Sequence, residues 1–233
     1  MGNLLTSTIG RKLIMSVSGL FLVLFLLFHM SMNLAAVFST EAYNAICEFL
    51  GANWYALAGT LILAAGVVVH LVYATVLTLH NRSSRGSQRY AMTAEPEGVT
   101  WASRNMYVLG IIIVLGLLLH LYNFWYNMQF AEIIGNHELG PFPPADGAAY
   151  IAALFSSPVY CIIYLVWFAA IWFHLTHGFW SAFHTIGWDN QTWLPRLKRI
   201  ANVVATIVFL CFALVVIVFY LRLGVCGGSC AGF

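Results

Sequence analysis

Long apolar segments alternate with short polar connections along the chain. Five of these segments are long enough to cross a bilayer as a helix, which needs about 20 mostly apolar residues. They cover residues 12–38, 53–80, 103–130, 156–184 and 200–222. The pattern therefore predicts an all-α integral membrane bundle of five transmembrane helices, formed by a single domain over residues 1–233.

The ends and connections of these segments carry further information. The first segment begins with two basic residues, but it is too long for a signal peptide and lacks a small-residue cleavage site, so we do not expect cleavage. The connection of residues 131–155 contains Pro141, Pro143 and Pro144 and is predicted to be irregular rather than helical.

Composition and charge agree with a membrane protein and orient it. Of the 233 residues, 61% are hydrophobic and 8% are charged, against roughly 25% charged in a soluble domain. The net charge of +2 gives no indication of nucleic-acid binding. With five spans, nine of the ten Lys and Arg residues fall on one side and Arg222 on the other. Because basic residues near span ends stay in the cytoplasm, we expect a cytoplasmic N-terminus and an external C-terminus.

The five cysteines form no CxxC motif. Cys226 and Cys230 would lie outside, where a disulfide between them is chemically possible. An unpaired tail of small residues is equally consistent with the sequence.

Four of the eight histidines lie deep within four different apolar segments: His29, His70, His120 and His174. An imidazole in hydrocarbon is costly, so each is a functional candidate. One such residue is readily explained as a core histidine bonded to a backbone carbonyl. Four on separate segments, with none on the fifth, are harder to explain in that way.

Depth sorts these histidines into two levels. His29 lies 17 residues after Lys12 and His120 lies 19 residues after Trp101, which places them about 25 Å and about 28 Å from the cytoplasmic end. The other two segments run in the opposite direction. On these segments His70 lies ten residues before His80, and His174 lies ten residues before His184. Since His80 and His184 mark the cytoplasmic ends, His70 and His174 are each about 15 Å from that end.

The four histidines therefore form an outer pair, His29 with His120, and an inner pair, His70 with His174. Two levels about 12 Å apart, each with two imidazoles, suit two stacked haems with bis-histidine ligation. His177 lies one turn from His174 and is a rival ligand that depth does not separate from it.

Three glycines lie one helical turn from these histidines, at Gly66, Gly116 and Gly178. A porphyrin held edge-on between helices needs a small residue at such a position, because a Cβ would collide with the macrocycle. Glycine is also frequent in membrane helices generally, so the pattern adds only modest support. Arg82, Arg104 and His177 are candidates to contact haem propionates, although the arginines are equally explained as topology signals.

Four segments resemble the type B cytochrome b subunit of succinate:quinone oxidoreductases, over essentially the whole chain. They are SGLFLVLFLLFHM at 18–30, GVVVHLVYA at 66–74, VLGLLLHLY at 114–122 and FHLTHGFWSAFHTIGW at 173–188. The resemblance implies a single chain of five helices that binds two b haems. It assigns His70 and His174 to the haem nearer the cytoplasm and His29 and His120 to the outer haem. In the family the ligand lies four residues before the glycine, which selects His174 over His177.

The resemblance also implies partners and a location. A flavoprotein subunit with FAD interconverts succinate and fumarate at the bacterial cytoplasmic membrane, and an iron–sulfur subunit passes electrons to the inner haem, the outer haem and quinone. Neither flavin nor cluster ligands are expected here, because the chain has no GxGxxG motif and no cluster-type cysteine spacing. Menaquinone follows from the two-haem resemblance, whereas the direction of the reaction and a dimer of complexes stay open.

Menaquinone-linked relatives carry a glutamate just outside the first helix, near the outer haem. Glu41 and Glu48 occupy the corresponding connection here. Glu48 is the preferred quinone-linked proton group, since it is nearer the second span and could lie in its first turn; a solvated loop residue is the alternative. Some relatives carry a proton-conducting glutamate two residues before the fourth-helix ligand, where this chain has Trp172.

Other functions are weighed against this one. The cytochrome b subunit of a hydrogenase or formate dehydrogenase also uses membrane histidines, but the pairing over four helices fits the first interpretation better. A haem-free transporter with buried histidines is disfavoured because no Asp or Glu lies deep in any span. A haem-free structural anchor would leave the four matched histidines unexplained.

Overall fold

A computed structural model describes residues 7–84, 100–188 and 190–225, and within these ranges the chain is helical and contains no strand. The helices are α1 (Thr8–Phe38), α2 (Thr40–Ala52), α3 (Trp54–Ser84), α4 (Trp101–Arg104), α5 (Met106–His120), α6 (Ala131–Ile134), α7 (Gly147–Phe155), α8 (Pro158–Thr185) and α9 (Trp193–Val225). A π-helical segment, Leu121–Phe130, joins α5 to α6 without a break.

Five helices are long and apolar enough to cross a membrane, which confirms that part of the prediction. They are Thr8–Phe38, Trp54–Ser83, Met106–Ile134, Pro158–Thr185 and Trp193–Arg222. The third comprises α5, the π-helical segment and α6. Much of the apolar surface of these helices is exposed on the isolated chain, as it is when lipid rather than water surrounds a bundle.

The bundle has two ends, which we name from α1. The N side is the end at which α1 begins, and the C side is the end at which it finishes. On the C side, Arg222 of α9 donates a hydrogen bond of 2.8 Å to the Val37 carbonyl of α1. On the N side, the Lys198 ammonium of α9 lies 4.7 Å from the centre of the Trp180 ring of α8. Long helices that follow one another in the chain therefore run in opposite directions.

Two connections contain helices that the pattern did not predict. Ser39 ends α1, and its hydroxyl also caps α2 by accepting from the Ala42 amide at 3.1 Å. The prediction that residues 131–155 are irregular is wrong for α6 and α7. The prolines fall within the non-helical residues 135–146, and Asp146 then starts α7 by accepting from the Ala149 amide. Cys226 and Cys230 lie outside the described residues.

The buried core lies where α8 and α9 pack together and against α1. Its side chains include Val23, Tyr164, Phe168, Val208, Phe212 and Val216. Small residues allow the helices to approach closely, as is usual in membrane bundles. Ala205 of α9 is fully buried in this core, whereas Val203 is 58% exposed. The packing of α9 therefore depends on which of its faces a residue occupies.

Enlarging Ala205 should destabilise the bundle. Ala205→Leu inserts three carbon atoms into a packed interface, which typically costs about 1–3 kcal/mol, and should lower the apparent Tm in detergent by roughly 3–10 °C. Val203→Leu on the exposed face is the matched control and should leave the Tm unchanged. Equal Tm values for the two variants would contradict this packing.

Candidate functional site

Two pairs of histidines meet inside the bundle. The ring centroids of His29 of α1 and His120 of α5 are 5.7 Å apart. Those of His70 of α3 and His174 of α8 are 6.4 Å apart. These are the two pairs that depth along the helices predicts, so the structure brings together four residues from four separate helices.

The spacing within each pair suits one metal ion between two imidazoles. A nitrogen–metal bond of about 2 Å, with the ring centre roughly 1 Å further, puts two such centroids about 6 Å apart. Both observed distances lie close to that value. The role of these residues as haem ligands stays a prediction, and the geometry is compatible with it.

Some of the ring nitrogens have no protein partner. Nδ1 of His120, His174 and His177 is buried and makes no hydrogen bond. Burying an unpaired polar atom typically costs about 1–3 kcal/mol. Since a neutral imidazole binds metals through either nitrogen, these rings retain capacity for a ligand. The donor set therefore fits the haems that the family resemblance implies.

The other member of each pair is held by a polar side chain of α1. His70 Nδ1 lies 3.3 Å from the Ser18 hydroxyl oxygen. His29 Nε2 lies 3.4 Å from the Asn33 amide nitrogen, which also donates to the His29 carbonyl at 2.8 Å. Each pair thus combines one ring supported by α1 with one ring whose Nδ1 is unpaired.

The glycines next to the histidines allow close packing of aromatic rings. A Cβ at Gly66 would lie 2.7 Å from Cε1 of Phe21, and one at Gly116 would overlap the Trp167 indole. Gly178 has more room, with Met106 and His174 at ordinary contact distances. The aromatic contacts explain the first two glycines, and the prediction that they face a porphyrin stays untested.

Aromatic side chains surround His120. Its ring centroid lies 5.2 Å from that of Phe124, 5.7 Å from that of Trp167 and 6.4 Å from that of Tyr164. The π-helical segment begins directly after His120 and carries Phe124, together with Asn123, which donates to the Tyr164 hydroxyl at 3.1 Å. Such segments are rare and often occur at functional sites. No sequence signal that we recognise predicted this one.

The candidate propionate contacts differ in their placement. Arg82 near the end of α3 and Arg104 at the end of α4 are exposed on the N side. His177 is half-buried, with its ring 5.0 Å from that of Trp180. Lys198 lies over the same Trp180 ring, so the structure adds a basic group that sequence reasoning missed.

A polar network on the C side ties α2 and α7 to α1. The Tyr43 hydroxyl of α2 donates to Oδ1 of the Asn33 side chain at 3.1 Å, which connects α2 to the residue that contacts His29. Asn44 donates to the Asp146 carboxylate at 2.8 Å and accepts from the Ala148 amide at 2.9 Å. These bonds fix the short helices that the hydrophobic pattern did not reveal.

Glu48 occupies a different position from the one predicted. It is an exposed residue of the separate helix α2, because the chain turns between α2 and α3, and so it does not lie in the first turn of the second span. Glu41 is also exposed, and the Ser39 hydroxyl that donates to it lowers the pKa of its carboxyl. Glu132 is a further carboxylate that the sequence did not single out. Its Cγ packs close to Gly51 at the end of α2, and its Oε1 lies 3.7 Å from His137 Nδ1.

An apolar cleft separates α1 from α2 on the C side. Its volume is about 330 Å³, and its lining consists of Phe28, Met32, Ala45, Ile46, Phe49 and Leu50. Phe28 directly precedes His29 in α1. The cleft is therefore an open apolar recess at about the depth of His29, whose side chain does not line it.

Cys47 should react slowly with alkylating reagents. Burial raises the pKa of its thiol from 9.0 to about 11, which leaves about 0.1% thiolate at pH 8 against about 10% for an ordinary thiol of that reference pKa. We expect alkylation at least roughly 100-fold slower at pH 8, with a rate that still rises between pH 9 and 10. Site-resolved mass spectrometry measures this rate.

A matched control places a cysteine on the exposed face of the same helix. In the double variant Cys47→Ala, Ala42→Cys, the new thiol should react at the ordinary rate, reach half of its maximum rate near pH 9 and level off above about pH 10. Equal rates at the two positions would contradict the burial of Cys47 against α7.

Comparison of the chain with protein-family models, with curated proteins and with solved structures finds no match. The interpretation of the histidine pairs therefore depends on their geometry and on the sequence resemblance described above.

Proposed function

We propose that this chain is the membrane anchor and electron-transfer subunit of a succinate:quinone oxidoreductase and holds two b haems. The observation that carries the proposal is that four histidines meet in two pairs. The ring centroids are 5.7 Å apart for His29 and His120 and 6.4 Å apart for His70 and His174. Each pair draws its rings from two different helices, as a group inserted edge-on between helices requires. The resemblance of all four segments to the type B family supports the same function.

His70 and His174 would hold one haem, and His29 and His120 the other. A haem between two imidazoles supplies a one-electron couple without an open coordination position. The protein holds the rings in place and excludes water. Phe124 of the π-helical segment and Tyr164 and Trp167 of α8 perform the second task, since their rings surround His120.

The proposed orientation places the N side in the cytoplasm of a bacterium, with the chain in the cytoplasmic membrane. Lys and Arg residues near span ends favour the cytoplasmic side, and Arg11, Arg82, Arg104 and Lys198 all lie at that end of the bundle. The pair His70 and His174 is then nearer the soluble partners. Those partners are an iron–sulfur subunit and a flavoprotein subunit with FAD.

Quinone is proposed to react on the C side, with menaquinone as the expected species. The open apolar cleft of about 330 Å³ between α1 and α2 is the candidate place for the apolar part of a quinone. Quinone reduction consumes protons and quinol oxidation releases them, so a carboxylate near the bundle end is needed. Glu48 of α2 is the predicted group, and Glu132 is a second candidate that the structure places beside the same helix.

The alternatives fit the site less well. A haem-free transporter would need a carboxylate deep in a span to bind or relay ions. Within the described residues of the five long helices, the single Asp or Glu is Glu132, at the end of the third helix. A cytochrome b subunit of a hydrogenase or formate dehydrogenase would share the haem chemistry. The soluble subunits that co-purify with the chain distinguish a hydrogenase or a formate dehydrogenase from the proposed succinate:quinone oxidoreductase.

Haem content tests the histidine assignment. The purified complex should contain about two b haems per chain in a pyridine haemochrome assay, one for each bis-histidine pair. Both His70→Ala and His174→Ala should remove one haem, and succinate should then no longer reduce quinone. His29→Ala and His120→Ala should remove the other haem.

His137→Ala is the matched control, because His137 is exposed on the C side, and it should retain both haems. Retention of both haems in His70→Ala would overturn the pairing. A wild-type complex without haem would overturn the proposed function.

Glu48→Gln tests the quinone end. If Glu48 exchanges protons with quinone, the variant should lower succinate–quinone turnover by about 10²- to 10⁴-fold and leave succinate oxidation with a soluble dye unchanged. Glu41→Gln, on the same helix, is the control and should retain turnover. Full turnover in Glu48→Gln would remove this residue from the mechanism, and a loss in Glu132→Gln would then assign the role to Glu132.

A further inference from the structure

Ser18 is a buried polar residue in the apolar part of α1. It is 8% exposed, and its hydroxyl oxygen lies 3.3 Å from Nδ1 of His70, on a different helix and 52 residues away in the chain. A hydroxyl inside a membrane helix usually bonds a carbonyl of its own helix, which by itself satisfies it. The second contact, to a ring nitrogen on α3, needs a separate explanation.

Gly19 brings the same imidazole close to the α1 backbone. A Cβ at Gly19 would lie 3.2 Å from Cε1 of His70, which is tighter than ordinary packing allows. Nδ1 and Cε1 are adjacent atoms of the ring. One edge of the His70 ring therefore rests on Ser18 and Gly19 together, and the contact leaves little freedom for the ring to rotate.

The hydrogen bonds of Ser18 determine where the proton of His70 lies. The Ser18 hydroxyl has one hydrogen, and it donates this hydrogen to the Met15 carbonyl at 3.1 Å. With its hydrogen on the Met15 carbonyl, the Ser18 oxygen accepts from His70, and we assign the ring proton to Nδ1 on this basis. Nε2 of His70 is left with its lone pair, which is the form that binds a metal.

We infer that Ser18 and Gly19 form a seat that orients His70 and fixes its tautomer, so that Ser18 is a positioning residue for the inner pair. The inference rests on the proposed function, because it concerns how a haem ligand is held. It also distinguishes the two ligands of one haem. His70 has its Nδ1 hydrogen-bonded, whereas the Nδ1 of His174 is buried without a partner.

The seat has an electronic consequence. A ligating histidine whose other nitrogen donates a hydrogen bond is a more basic ligand, and a more basic ligand favours the oxidised iron. Removal of the Ser18 hydroxyl should therefore make the inner haem easier to reduce. The outer haem should not change, because its supported ring, His29, contacts Asn33 instead.

The test is a potentiometric titration of both haems in the whole complex, with low-spin EPR spectra of each. In Ser18→Ala the midpoint potential of the inner haem should rise and its EPR signal should shift, while the outer haem keeps both values. Ser18→Thr retains the hydroxyl and should restore the wild-type potential. Ser31→Ala is the matched control, since Ser31 is an exposed residue of α1 whose hydroxyl donates only to the Leu27 carbonyl.

An inner haem with unchanged potential and EPR signal in Ser18→Ala would overturn the inference and leave the proposed function intact. If Ser18→Ala does not accumulate, the Gly19→Ala variant tests the same inference. Its new Cβ displaces the His70 ring, while the Ser18 hydroxyl is retained. A change confined to the inner haem supports the seat, and no change overturns it.

The nitrogen chemical shifts of ¹⁵N-histidine-labelled protein give a readout that does not depend on haem. A wild-type preparation without haem would overturn the proposed function. In such protein, a His70 protonated at Nδ1 that loses this preference in Ser18→Ala would still support the seat. A His70 protonated at Nε2 would overturn it.

Discussion

The cost of placing imidazoles in hydrocarbon governs the interior of this bundle. A polar ring there must find a partner, because no water is available to satisfy it. The structure meets this requirement for one ring of each pair, which a polar side chain of α1 approaches. Nδ1 of His120, His174 and His177 remains unpaired, and the proposed haems would account for those of the two paired rings alone.

Helix α1 organises both pairs. It contributes His29 to the outer pair, and it supports the inner pair through Ser18 without contributing a ring to it. Its ends are fixed as well: Ser7 caps the first turn, and Arg222 binds the Val37 carbonyl in the last. Since α1 contacts both pairs, a shift of α1 would affect both together.

The sequence predicts the five long helices and the histidine pairs because both follow from spacing along a helix. Apolar length defines a span, and a fixed rise per residue converts position into depth. Contacts between helices do not follow in this way. Ser18 lies 52 residues from His70, and Lys198 is close to His177 only because α8 and α9 pack side by side. The helix α2 was missed because its Tyr43 and Cys47 face α1 and α7, whereas most of its other residues are partly exposed.

The two pairs differ in how they connect to the ends of the bundle. Support for His70 stops at a backbone carbonyl, because Ser18 passes its only hydrogen to Met15. Support for His29 continues: Asn33 accepts from Tyr43 of α2, a helix that also borders the apolar cleft and carries Glu48. The contacts of His70 therefore end within α1, whereas those of His29 tie it to α2. Because of this asymmetry, a movement of α2 would reach the outer pair directly and the inner pair only through α1.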